Sequence, residues 1–298
     1  MHLSNMVESA KRAISPGRTS RSPRPGRKMK NWAGDDTVYF AYHDSNVTRH
    51  DMSTLADEHG WLEDNVINFW IQYIENEEMH NFPKARIELF APSMSTFMKL
   101  EQDPSVAKSV LAQMPDLAAN KTTHIFIPVN GDRRSDHDTD AVKFGDGQET
   151  AGIHWSLLVI SLIDNVAFHY DSMNGLNSPD ARDLLKGFEA ALPVSRSLRF
   201  VDMVDSPQQT DGWNCGIFAL VIMKHLLLKR LLRADANQKI TMSMKDQDID
   251  YEGARKTIRT LIEERREEAI RKQSFNSDGV PSIPFQTADT TTTKRSSS

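Results

Sequence analysis

The chain holds a single cysteine, Cys215, inside the segment Gln208-Gln209-Thr210-Asp211-Gly212-Trp213-Asn214-Cys215-Gly216. It follows turn-prone residues and opens the apolar run Ile217-Phe218-Ala219-Leu220-Val221-Ile222-Met223. A helix that is apolar on every side is normally buried. The pattern therefore predicts a central helix with Cys215 in its first turn and Asn214 as its N-cap. A thiol placed there sits at the positive end of the helix dipole, which favours the nucleophilic thiolate. Free cysteines often do no more than pack, so a chemical role needs partners. A cysteine nucleophile needs a histidine base, a group that orients the histidine, and donors for an oxyanion. His154 begins the β-rich run His154-Trp155-Ser156-Leu157-Leu158-Val159-Ile160-Ser161-Leu162. After the turn pair Asp164-Asn165 a second run, Val166-Ala167-Phe168-His169-Tyr170, ends at Asp171. An antiparallel hairpin about that turn makes His154 and Asp171 near-neighbours across two strands, within reach of a hydrogen bond. Gln209, six residues before the cysteine, offers an amide where an oxyanion would develop.

These residues need a scaffold. Residues 37–42 read as a short strand and 63–75 as a helix, with Val66, Ile67, Trp70, Ile71 and Ile74 at helical spacing. On pattern alone Trp61 and Trp70 are core residues. Two short helices follow over 93–101 and 104–113, the second opened by Asp103-Pro104. A β run covers 123–129. Residues 130–153 are rich in Asp and Gly, and a loop of that length inside a domain is usually functional or disordered; it leads into His154 and is read as a substrate-gripping loop. A turn over 171–175 precedes a helix capped by Ser178, with Pro179 first. Residues 198–204 form another strand. The charged helix over 251–271 has Ala254, Ile258, Leu261 and Ile262 as its buried stripe. The whole is α+β: a helical N-terminal part, a mixed sheet carrying His154 and Asp171, and a central helix carrying Cys215.

The length of 298 residues suits one good-sized domain with tails. Residues 1–34 mix Ser, Pro, Gly and Arg, with eight Lys and Arg against Glu8, and read as a disordered basic tail. Residues 274–298, rich in Ser and Thr, read as a second disordered tail. The overall charge of −5 thus conceals an acidic body, −12 over 35–273, suited to meeting basic partners. One cysteine excludes an intramolecular disulfide and suits a reducing compartment. No apolar run reaches the length of a membrane span and no secretory leader follows Met1, so an intracellular location is expected, cytoplasm or nucleus. His137, His169 and His225 lack the convergent spacing of a metal site, and no phosphate-binding glycine motif is present. Neither a metal nor a cofactor is expected. Ser156 and Ser172 sit in no nucleophile elbow.

The set His-Trp-Ser-Leu, Tyr-Asp-Ser beginning 16 residues after the histidine, and Gln-Gln-x-x-Gly-x-x-Cys-Gly resembles the Ulp/sentrin-protease family of cysteine proteases. The segment Trp61-Leu62-Glu63-Asp64-Asn65-Val66 is similar to that family's opening motif, a Trp-Leu-Asn-Asp followed by a helix. The likeness runs from about residue 37 to residue 268. Within the family it is nearest to the deneddylase branch, through His-Trp-Ser-Leu-Leu-Val, Phe-His-Tyr-Asp-Ser and the Phe90-Ala91-Pro92 to Phe97 segment.

The resemblance implies a papain-like architecture of the Ulp type and an isopeptidase that cuts after the Gly-Gly end of a Nedd-type ubiquitin-like modifier. Cys215 would be the nucleophile, His154 the base, Asp171 its orienting group and Gln209 an oxyanion donor. Trp61 and Trp155 would roof the slot for the Gly-Gly tail, and Asp64 would help to recognise the modifier. The implied partners are the modifier and its conjugates, such as cullins, with no membrane; the basic tail alone offers anything to nucleic acid, and a monomer is expected. Alternatives on the same fold are a SUMO protease, an acyltransferase or a non-catalytic binder. One departure stands out: the family usually has Asp directly before the cysteine, and this chain has Asn214. If that residue caps the helix, Asn serves as well.

Overall fold

The computed structural model describes residues 34–101, 103–131, 154–233 and 240–285. The expected basic tail lies outside the described residues except for Gly34, as does the expected gripping loop except for Asn130 and Gly131, which belong to a strand.

The chain opens with a hairpin, β1 (Val38–Tyr42) against β2 (Ser45–Thr48). Thr48 then caps α1 (Arg49–Ala56) through a reciprocal bond with Asp51, a full capping box. Next is α2 (Asp64–Tyr73), whose stripe Val66, Ile67, Trp70 and Ile71 is buried as its spacing predicts; the helix then runs on as a wider turn over Ile74–Glu78. After β3 (Ile87–Leu89) come α3 (Pro92–Leu100), α4 (Pro104–Leu111) and the single turn α5 (Pro115–Ala118). Asp103 caps α4 by accepting from the Ser105 amide, with proline at the first position. The N-terminal part is thus more than helical, because it carries its own small sheet.

The main sheet follows: β4 (His124–Gly131), β5 (His154–Ser161) and β6 (Val166–Tyr170), then α6 (Ser178–Ala191) and β7 (Arg199–Asp202). Its order is β3-β4-β5-β6-β7; β3 and β7 run parallel to their neighbours, and the central pairs are antiparallel. β5 is buried along its whole length, as a central strand covered on both faces must be. One face packs on α3, α4 and α6 through Phe90, Met98, Leu158, Ile160 and Phe188. The other packs on α7 (Cys215–Lys224), α2 and α8 (Tyr251–Arg271) through Phe126, Leu157, Val159, Leu220 and Ile258.

Two expectations need correction. Ser178 does not cap α6. Asn177 holds that place, and Ser178 is the first helical residue, its hydroxyl donating to Asp202 at 2.6 Å. Nor is the chain beyond residue 274 wholly irregular: Phe275 bridges to Pro281, and β8 (Ser282–Ile283) pairs parallel with β1. Backbone groups on the open edge of a two-stranded hairpin need partners, and this return supplies them, a tertiary pairing that a polar composition does not reveal.

Candidate active site

The β5–β6 register places Leu157 opposite Tyr170 and Leu158 opposite His169. Continuing that ladder puts Asp171 across from Ser156, so His154 reaches it along the diagonal on the same face. The bond is short: His154 Nε2 donates to Asp171 Oδ1 at 2.7 Å, with both side chains buried. The hairpin therefore does what its turn position implies, with the pairing set diagonally and not directly opposite.

Asp171 is held by more than its histidine. Its Oδ1 also accepts from the Met173 amide and its Oδ2 from the Asn177 amide, each at 2.7 Å. Burial works against its charge, and these bonds, with the histidine foremost, outweigh it; its carboxyl lies below the usual range. Burial likewise opposes a charged His154, but Asp171 and the Cys215 thiol more than compensate, and the imidazole is lifted to about 9. Among the described residues, His154 Nδ1 has no hydrogen-bond partner of ordinary geometry. With Nε2 committed to Asp171, Nδ1 is the nitrogen left for Cys215, and such contacts are commonly loose before substrate binds.

Cys215 is buried, at the first position of α7, whose next turns are buried almost all round. Gly216 leaves little room beside it. A Cβ on it would stand 3.0 Å from the Leu62 side chain, so the Trp61-Leu62 segment packs directly on the turn that carries the thiol. Trp155 Nε1 donates to the Leu62 carbonyl at 2.9 Å, tying β5 to the same segment. Trp155 is 2% exposed, while Trp61 is half-buried and Asp64 is exposed in the first turn of α2. Gln209 is buried; its Oε1 accepts from Ser172 Oγ at 2.6 Å and its Nε2 donates to the Asp211 carbonyl at 2.8 Å. An amide nitrogen carries two hydrogens, so one donor remains. His154 and Asp171 are thus joined directly, Cys215 acts on the same imidazole, and Gln209 is anchored beside them through Ser172, the residue after Asp171, while Asp64 stands apart.

Asn214 departs from expectation. It occupies the N-cap position, but its side chain makes no cap hydrogen bond. Its Oδ1 accepts from Arg255 Nε at 2.8 Å and its Nδ2 donates to Asp211 Oδ2 at 2.9 Å. A buried guanidinium competes for the oxygen that would have capped the helix, and the charge-assisted bond wins.

Three further residues escape sequence reasoning. Asn177 Nδ2 donates to the His154 carbonyl at 2.7 Å while its amide holds Asp171, so one residue fixes both members of the pair. Gln208 Nε2 donates to the Asp171 carbonyl at 2.9 Å, and its Oε1 accepts from the Asn174 amide at 2.8 Å. No spacing rule signals either. Arg255 did leave a signal: it lies three and seven residues before Ile258 and Ile262, on the buried face of α8. A buried thiol, a strongly basic imidazole and an anchored carboxylate can together carry out nucleophilic acyl chemistry.

A family model described as the Ulp1 protease family, C-terminal catalytic domain, matches residues 60–267. That span starts just ahead of Trp61 and ends within α8, so it encloses every residue of the candidate site. A protein of Dictyostelium discoideum named "Probable sentrin-specific protease 8" is 28% identical over 213 residues, 68% of this chain and 80% of the relative. Sentrin-specific protease 8 of Homo sapiens is 28% identical over 186 residues, 62% of this chain and 79% of its own. NEDD8-specific protease 1 of Arabidopsis thaliana is 26% identical over 243 residues, 81% and 94% respectively. With the family model covering well over half of its length, this chain belongs to the Ulp1 protease family of cysteine peptidases.

Proposed function

We propose that this enzyme cleaves after the C-terminal Gly-Gly of a Nedd-type ubiquitin-like modifier, freeing it from target lysines, maturing its precursor, or both. The observation that carries the chemistry is the 2.7 Å His154–Asp171 bond beside the sole cysteine of the chain. Relatives named as NEDD8-specific proteases support the choice of modifier.

Cys215 attacks the carbonyl carbon of the terminal glycine as the thiolate, and His154 holds the proton it gave up. The oxyanion is met by the Cys215 amide, an unpaired donor by virtue of opening α7, and by the remaining Gln209 hydrogen. Collapse breaks the C–N bond, with His154 delivering its proton to the lysine amine. Water, deprotonated by His154, then hydrolyses the thioester. Asp171 keeps the ring in the orientation and tautomer that this exchange needs. The half-buried Trp61 and the buried Trp155, joined through Leu62, frame a slot that suits a tail without side chains. Discrimination between modifiers then falls to surface groups such as Asp64 and to residues 130–153. Modifier conjugates such as cullins are the expected targets, in the cytoplasm or nucleus.

The test is a panel of modifiers with C-terminal electrophiles, read by covalent capture of the chain and by kcat/KM on the matching precursors. The Nedd-type precursor should be cut at least about tenfold faster than SUMO or ubiquitin, a gap of roughly 1.4 kcal/mol. A clear SUMO preference sinks the choice of modifier and leaves the chemistry standing. Cys215→Ala should abolish cleavage while retaining modifier binding, and turnover by that variant would end the cysteine mechanism.

A further inference from the structure

Among the residues that α8 buries, Arg255 is the charged one, and it is 4% exposed. A guanidinium has five N–H groups, and here each has an acceptor. Nε donates to Asn214 Oδ1 at 2.8 Å. Nη1 donates to the Thr54 carbonyl at 3.0 Å and the Asp57 carbonyl at 3.3 Å. Nη2 donates to the Gly60 carbonyl and, at 3.5 Å, to the Trp213 carbonyl. Among the described residues none of these acceptors is a carboxylate. A cation taken out of water without a contacting anion is costly, so its position calls for a reason.

The acceptors give one. Gly60 precedes Trp61, and Trp213 and Asn214 precede Cys215, so this side chain joins α8, the chain leading into the tryptophan motif and the turn that delivers the thiol. The nearest anion on the turn, Asp211, is one residue removed. Its Oδ1 accepts from the Trp213 and Asn214 amides at 3.0 and 2.8 Å, and its Oδ2 from Asn214 Nδ2. Asn214 is fully buried between cation and anion, accepting from one and donating to the other. An ionised Asp in its place could only accept. The result is a positive charge beside the first turn of α7, adding to the positive end of the helix dipole.

We propose that Arg255 is a positioning residue for the nucleophile and the cation that favours the Cys215 thiolate, and that Asn214 works by staying neutral between Arg255 and Asp211. The other titratable groups around this point are His154 on β5 with Asp171 behind it, Asp57 at the end of α1, and His59, edge-on to the Trp213 ring at 4.4 Å. Burial weakens the hold of Arg255 on its proton; the charges of Asp211, Asp57 and Cys215 act the other way.

The inference rests on Cys215 acting as nucleophile with His154. Because the chain has one cysteine, iodoacetamide reports on Cys215 alone and needs no modifier substrate. Alkylation rate against pH is measured on the full chain, wild type and variants, alongside thermal melting. Arg255→Met should move the acid limb upward by about one pH unit. Arg255→Lys should move it by less than half as much, although lysine cannot replace the planar fork and the melt should fall. Asn214→Asp, which brings a carboxylate onto Nε and leaves the four carbonyl contacts, should move the limb upward by about half a unit. A folded Arg255→Met chain with an unmoved limb, or Met and Lys variants that shift it alike, overturns the proposal. If Arg255→Met does not fold, Asn214→Asp decides, and an unmoved limb there overturns it equally. Failure of the underlying reading looks different: His154→Ala would then leave the whole alkylation profile as in wild type.

Discussion

Two histidine–aspartate pairs stand on neighbouring strands of the same sheet, and only one of them faces a thiol. His154 on β5 donates to Asp171 at 2.7 Å; His169 on β6 pairs with Asp202 on β7 at 2.9 Å. Both rings are buried, yet their proton affinities move in opposite directions. His154 is raised to about 9, whereas burial takes His169 below its ordinary value despite its carboxylate. Two differences decide this. Asp171 is itself buried and its charge acts at full strength, while Asp202 is 36% exposed and shared with Ser178 and Arg182. The far nitrogen also matters. In His154 it is left for the Cys215 thiol. In His169 it accepts from Ser156 Oγ at 3.0 Å, which in turn accepts from Asn177. A neutral ring completes that chain of bonds, and the proton on His154 nearby discourages a second one. A histidine–carboxylate contact therefore does not define a reactive site; what the ring's other nitrogen meets does.

The comparison can be broken most directly at the two carboxylates. Asp171→Asn should lower kcat/KM by about 10⁴, the cost of the same change in serine triads. Asp202→Asn should cost less than about tenfold. Comparable losses on a fluorogenic modifier substrate would abolish the distinction. Gln209→Ala should reduce kcat by about 10²–10³ if its free hydrogen meets the oxyanion, and an effect under about threefold would remove it from that role.

Asn177→Ala sharpens the comparison because Asn177 touches both networks. A misplacement on the order of 1 Å costs about 10² in rate, so kcat should fall by about that factor with KM little changed. A loss expressed only in KM would place Asn177 outside the catalytic geometry.

The smallest effect concerns pH and stability. His169 binds its proton less readily folded than unfolded, as do His43, held down to about 4 by burial, and His124. The unfolded chain takes up these protons near pH 6.5 and the native chain does not, so stability is full above that pH and falls as the pH drops below it. The lowered carboxyls of Asp171 and Asp202 push the same way at lower pH. His154 has the opposite sign, and its contribution is present below about 6.5 and lost as the pH rises through about 9. His169→Gln should cost about 1–3 kcal/mol at neutral pH and flatten the acid slope in denaturant titrations, with the pH profile of activity unmoved. A slope as steep as wild type would mean that other groups carry it.

Much of the candidate site could be read in the residues. Cys215 was exposed by its uniqueness and by the apolar run behind it, His154 and Asp171 by a strand–turn–strand pattern whose turn fixes who meets whom. The helix over Tyr251–Arg271 and the stripe of α2 followed from 3.6-residue spacing. These are local signals, because periodicity and turn chemistry act within a few residues.

Tertiary structure alone decided the rest, since it depends on segments far apart in the chain. Asn214 reads locally as a cap, but a guanidinium 41 residues away takes its oxygen. Residues 274–285 read locally as tail, but a hairpin edge near residue 41 gives their backbone a partner. Asn177 carries no local signal between the turn over 171–175 and the helix, but the start of β5 and the end of β6 meet beside it, where it donates to the His154 carbonyl and to Asp171. The sequence by itself determined which groups could react and roughly how they would meet. Which neighbours hold them, and with what charge, was settled by long-range burial, where an unpaired polar group costs more than a local preference is worth.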